Sequence, residues 1–209
     1  MEKAIQLFIF IHAFGGGIAL ISGFLSLVFQ KGKSAHKITG LLFYYAMLLC
    51  GLSALCIAVL PHHESPFLFA VGIFSLYFVI SGRRALLYKN KHLHLTIDTL
   101  IAATMIITGI LMIVLPIILH HQLHIVLTVF AIVGITFSVR DLFLIQHPDR
   151  LRKGWLKLHL GKMIGGYIAA TTAFVVVNNF FPGFYSWFIP GIIGSIVIAY
   201  WMRKVSIKA

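Results

Sequence analysis

Eleven histidines stand in this chain of 209 residues. An imidazole in an apolar setting can ligate a transition metal, serve as an axial ligand to haem iron, or relay a proton. The first of interest is His12 in "IHAFGGGIAL", residues 11–20. It needs a polar partner where water is absent. Three glycines follow it in an apolar run, and each weakens a helix by roughly 1 kcal/mol relative to alanine. At about 100° per residue, His12 shares its face with Gly16, Ala19 and Gly23. Such a smooth stripe either lets a second helix approach closely or forms a slot for a flat ligand. His124 is the expected partner of His12 from the same side of the bundle.

A second set lies on the opposite side. His36, His94 and His159 each sit near the start of an apolar run, and Asp98 follows His94 at i+4, on the same helical face. A carboxylate that orients a ligating imidazole is a common arrangement around metals. The spacing therefore predicts a metal set of His36, His94, His159 and Asp98, if their helices converge. Its bland alternative is that Asp98 neutralises a nearby Lys or Arg. On the sixth apolar run His159, Met163, Gly166, Tyr167 and Ala170 fall within about 100° of one another. The expected cofactor-binding set is His12, His124, Gly16, Met163 and Tyr167. His62, His63, His120, His121, His92 and His147 fall in loops or at run ends, where solvated roles suffice.

Seven apolar runs are long enough to span a bilayer: 5–29, 38–60, 67–88, 95–119, 123–145, 159–181 and 185–202. The chain is 60% hydrophobic and 11% charged, with mean hydropathy +0.99. Soluble domains carry about 25% charge. The expected fold is all-α: a polytopic seven-helix membrane bundle forming a single domain, 1–209. The first run exceeds a signal-peptide core and lacks a suitably placed cleavage site, so it reads as a span. Cys50 and Cys56 share one run, about 9 Å apart along a helix, too far for a mutual disulfide. They read as buried structural thiols.

The net charge is +12, yet its distribution argues against nucleic acid. Sixteen of seventeen Lys and Arg lie in alternate loops, their adjoining helix ends and the tail, with Lys3 alone on the other side. The positive-inside rule then puts the N-terminus outside and the C-terminus in the cytoplasm. Arg140 and Asp141 are adjacent and point to different sides, so each needs its own partner; a structural ion-pair network is the simpler expectation. A shift of 58 residues superposes His36 on His94, Met47 on Met105 and Gly51 on Gly109. This reads either as parallel hairpin repeats after an extra first helix or as chance identity among apolar helices.

Three segments carry a family resemblance: "HAFGGGIALISG" (12–23), "HKITGLLFYYAM" (36–47) and "WLKLHLGKMIGGYIAATTAF" (155–174). They resemble a family of uncharacterised bacterial multi-pass membrane proteins, a domain of unknown function. The resemblance implies a fold type and draws attention to His12, His36, His159, Met163 and Tyr167. The third segment departs from the family pattern, with Gly165 and Gly166 where an Arg follows the Met. No span carries two histidines half a bilayer apart, which argues against a stacked two-haem cytochrome. A retinal protein is disfavoured too, since the last span has no lysine before Lys204.

The expected function is that of a bacterial inner-membrane protein. It holds one histidine-ligated cofactor, haem b or a divalent metal, for redox or small-molecule chemistry. The alternatives are a small carrier or channel with a histidine proton relay, and a cofactor-free accessory subunit. The bilayer and membrane subunits are the expected partners.

Overall fold

The computed structural model describes residues 2–206, the side chains of Glu2 and Ala4 excepted. Lys208 of the basic tail lies outside the described residues. Seven helices follow in order: α1 Glu2–Val28, α2 Ser34–Ala58, α3 Pro66–Arg84, α4 Thr96–His120, α5 Ile125–Ile145, α6 Pro148–Val177 and α7 Tyr185–Ser206. All seven contain stretches long and apolar enough to cross a membrane. Among the described residues there is no strand.

Local chemistry sets the helix ends. Ser65 caps α3 by accepting from the Leu68 N–H at 3.1 Å, and Pro66 fills the first turn. His124 caps α5 through its imidazole, which accepts from the Leu127 N–H at 3.3 Å. At the end of α4, His121 takes a left-handed conformation, φ 53°, that closes the helix. Lys31 folds back on the end of α1 and donates to the carbonyls of Ser26 at 2.9 Å and Leu27 at 2.6 Å. A cation is favoured there by the free carbonyls and the helix dipole.

The sixth helix begins at Pro148, well before the expected 159. Hydropathy marks the membrane, whereas helices run on into water. Proline at the first turn starts this one, and its basic extension buries Leu151 and Leu158 against Ala85 and Tyr88. His159 therefore sits mid-helix, while His36 is in the first turn of α2 and His94 precedes α4. The three histidines do not hold equivalent places in their hairpins.

Helix α3 is the hub and touches α2, α4, α5 and α6. It presents Phe74, Tyr77 and Phe78 to a core with Met105, Met112, Leu127, Ala131 and Ala169. A second core joins Ala19 of α1, Phe43, Ala46 and Met47 of α2, and Val79. Large apolar side chains such as Phe10, Ile21, Leu100, Ile118 and Ile196 stay exposed. In a lipid solvent they have no reason to hide, and packing of small residues holds the helices together instead. Cys56 is among the exposed residues, not buried as expected; Cys50 is half-buried.

Candidate functional site: a buried ion-pair network

Tyr77, Ser81 and Arg84 are spaced four and three residues apart on α3, and Tyr88 follows four further on, past a short 3-10 turn at Ala85–Leu87. That spacing makes one polar stripe along a helix. Helix α6 brings Lys162 to it, and α5 brings Asp141 with Ser138 one turn away.

Lys162 is 3% exposed. Its ammonium forms a short ion pair with Asp141 Oδ2. It also donates to the Tyr77 hydroxyl at 2.7 Å and to Ser81 Oγ at 3.1 Å. All three donors are used. The Tyr77 hydroxyl in turn donates to Asp141 Oδ2 at 2.7 Å, and Nζ stands 4.1 Å from the Tyr77 ring centroid. Ser81 Oγ donates to the Tyr77 carbonyl. Ser138 is fully buried beside Tyr77.

A second network lies nearer the basic end. Arg84 grips Asp98 with two parallel bonds, Nε–Oδ1 at 2.8 Å and Nη2–Oδ2 at 2.6 Å. Tyr88 adds a third, its hydroxyl donating to Oδ1 at 2.8 Å. Bidentate pairing of this kind is strong and directional. The two networks are in electrostatic reach of each other, Asp141 of Tyr88 and Asp98 of Lys162.

The histidine sets are not assembled as expected. His12 Nδ1 donates to the Cys50 carbonyl at 2.9 Å, with Cys50 Sγ and Ser53 Oγ each 3.5 Å away. Its partner is thus on α2, and His124 is occupied as the α5 cap against the Phe67 ring. The space beside His12 is filled from within. A Cβ on Gly15 would lie 3.3 Å from the Ala46 carbonyl oxygen, and one on Gly16 would lie 3.6 Å from Cys50 Sγ. Farther along, the rings of Tyr167 and Phe43 close over Gly23. The glycine stripe therefore seats α2 and these rings. Met163 rests its sulfur against Gly82.

In the metal set, Asp98 is engaged by Arg84 and Tyr88, and His94 is exposed. His36 Nδ1 donates to the Ser26 carbonyl at 3.0 Å, and His159 Nδ1 to the Gly82 carbonyl at 2.8 Å. Among the described residues no three His, Cys, Asp or Glu side chains come together to hold a metal ion.

Sequence reasoning missed Lys162, Tyr77, Ser81 and Ser138. The signal was present for Lys162. Asp98 and Asp141 lie inside spans, and an acid in a span needs a cation at its own depth. Lys162 stands near the start of the sixth apolar run, 159–181, at the same end of the bundle as Asp98 and Asp141.

An apolar cleft of about 790 Å³ runs between α5 and α7, with α3 and α6 behind it. Phe78, Phe130, Phe137, Gly165, Trp187 and Gly191 are among its walls. The Phe78 ring also packs on Tyr77 at 5.2 Å, so one side chain separates cleft from network. Comparison with protein-family models, curated proteins and solved structures found no match to this chain.

Proposed function

We propose that this chain is a small carrier of the bacterial inner membrane that couples its work to a proton held by Lys162, Asp141 and Tyr77. The observation behind this reading is a lysine 3% exposed inside a membrane span, paired with a carboxylate and a phenol. Ionisable groups at such depth are costly and mark ion or proton pathways. The buried Ser138 hydroxyl adds a polar group beside the pair. The adjoining cleft has the size and apolar character of a small-molecule site, which suits an apolar or amphipathic substrate. Vesicles holding the reconstituted protein test this: an imposed pH gradient should collapse faster than in protein-free vesicles, and an Asp141→Leu/Lys162→Met double variant should abolish the difference. Wild type and double variant that dissipate the gradient equally make the network a structural ion pair, and the reading fails.

A second reading is favoured by one specific pattern. His12, His36 and His159 each fix Nδ1 on a carbonyl of a neighbouring helix. This is the tautomer that leaves Nε2 available, as in ligating histidines. If haem b is bound through His36 or His159, detergent-purified protein will show a Soret band that His159→Ala removes. A colourless, iron-free preparation from haem-replete cells eliminates it.

A further inference from the structure

We infer that the basic end of the bundle holds one anionic phospholipid, its phosphate lying between Lys31 and Lys204, independently of what Lys162 and Asp141 do. Lys31 lies in the link between α1 and α2, and Lys204 near the end of α7. Both ammonium groups turn to one indole. Lys31 Nζ stands 4.3 Å from the Trp201 ring centroid and Lys204 Nζ 4.9 Å, so the two cations are at most about 9 Å apart. Lys31 is anchored by the Ser26 and Leu27 carbonyls, and its third donor has only the Phe29 carbonyl at 3.5 Å. Two N–H···O bonds of about 2.8 Å to different oxygens of one phosphate span about 7–8 Å. The flexible Lys204 stem closes the remaining gap.

Like charges drawn to one ring repel, and no carboxylate among the described residues answers them. The chain has five acidic residues. Asp98 binds Arg84, Asp141 binds Lys162 and Asp149 binds Arg152. Glu64 lies beyond the far end of α2, and Glu2 begins α1, about 40 Å from Lys31 along the helix axis. Burial, then the charge of Lys204, hold the Lys31 ammonium below its ordinary range. The contacts with the indole face offset part of the repulsion. An anion between the lysines removes it.

The surroundings favour a lipid phosphate over a free one. Ile193, Ile196, Tyr200 and Lys204 recur at steps of three and four residues, so they share one face of α7. All four are exposed. An apolar strip suited to acyl chains thus leads up to a phenol and an ammonium. Lys204 Nζ donates to the Tyr200 hydroxyl at 3.4 Å, and tyrosine and tryptophan are the residues that sit at headgroup level. A zwitterionic headgroup carries its own ammonium, which Lys31 and Lys204 repel, so the site selects a net negative one. Such a lipid ties the α1–α2 link to a helix that rests chiefly on α6.

The test titrates the full chain in detergent with phosphatidylglycerol, phosphatidylcholine or inorganic phosphate, and counts the retained molecules by native mass spectrometry. Phosphatidylglycerol should be retained in clear preference to phosphatidylcholine. Lys204→Gln should weaken its retention about fivefold, and Lys31→Gln/Lys204→Gln more than tenfold, as for the loss of one and two basic contacts. Lys204 is exposed, so the single variant keeps the fold even if losing Lys31 disturbs the end of α1. Lys153→Gln/Lys157→Gln removes as much charge from exposed lysines elsewhere at the basic end and should change nothing. Equal losses in the two double variants reduce the effect to general surface charge and overturn the inference, as does equal retention of the two lipids. Retention of inorganic phosphate without a preference for phosphatidylglycerol assigns the site to a free anion and overturns it too.

Discussion

Asp141→Asn will destabilise the protein by about 3–5 kcal/mol, because Lys162 is left as a buried charge without its counterion. The size follows from the surroundings. Lys162 Nζ has only Tyr77 and Ser81 to fall back on, and neither carries a compensating charge. Arg84 differs. Its side chain is 16% exposed and lies near the basic end, where a long side chain can reach water. The cost is therefore expected to be greater for the Lys162–Asp141 pair than for Arg84–Asp98. Removing both charges should recover most of the loss, since apolar replacements of a buried pair are often neutral or stabilising. Asp141→Leu/Lys162→Met should thus unfold close to wild type in detergent, by denaturant or heat. If Asp141→Asn unfolds like wild type, Lys162 is not held as a charge, and the ion-pair description is wrong.

Gly82→Leu will prevent the native α3–α6 crossing. A Cβ at this position would stand 3.0 Å from Met163 Sδ, 3.1 Å from Lys162 Cβ and 3.1 Å from the Met163 backbone nitrogen. A flexible thioether can yield, but the backbone nitrogen moves only with its helix. Separation here breaks the His159 bond to the Gly82 carbonyl and draws Lys162 from Tyr77 and Ser81. Ordinary overpacking costs about 1–3 kcal/mol; a displaced helix and a broken ion network add to it. Gly82→Ala should be graded, destabilised yet folded. Unfolding curves of the two variants check this, and equal stability of Gly82→Leu and wild type contradicts the close crossing.

The architecture was legible in the sequence because lipid imposes a length. Twenty apolar residues have few other uses, and the alternation of basic loops marks the ends. The α6 extension was not legible from hydropathy, since "PDRLRKGWLKL" is as polar as a loop. Its buried Leu151 and Leu158 follow helical spacing, which was the available clue. The site was less legible. His12 was expected to find its partner across the bundle at His124, yet an adjacent hairpin offered a backbone carbonyl at Cys50. Carbonyls leave no mark in a sequence. His124 was claimed by the local need of a helix end, which outweighs a distant partner. The glycine stripe was ambiguous in principle, because a helix and a flat ligand ask for the same smoothness.

The last helix rests chiefly on α6, where Ile168 fits over Gly194 and Met202 over Gly161. Each other helix touches at least two helices. The bundle is thus mechanically uneven, a six-helix body with one leaf attached chiefly along its seam with α6. Because α7 forms one wall of the apolar cleft, the cleft is bounded on one side by the least braced element. Swinging this leaf breaks its seam with α6 and the packing of Trp187 on Phe67 and Phe130, and spares the polar stripe of α3. The cavity can widen for a bulkier occupant without straining the charged groups behind Phe78. In mechanical terms, capacity and chemistry sit on opposite sides of a hinge.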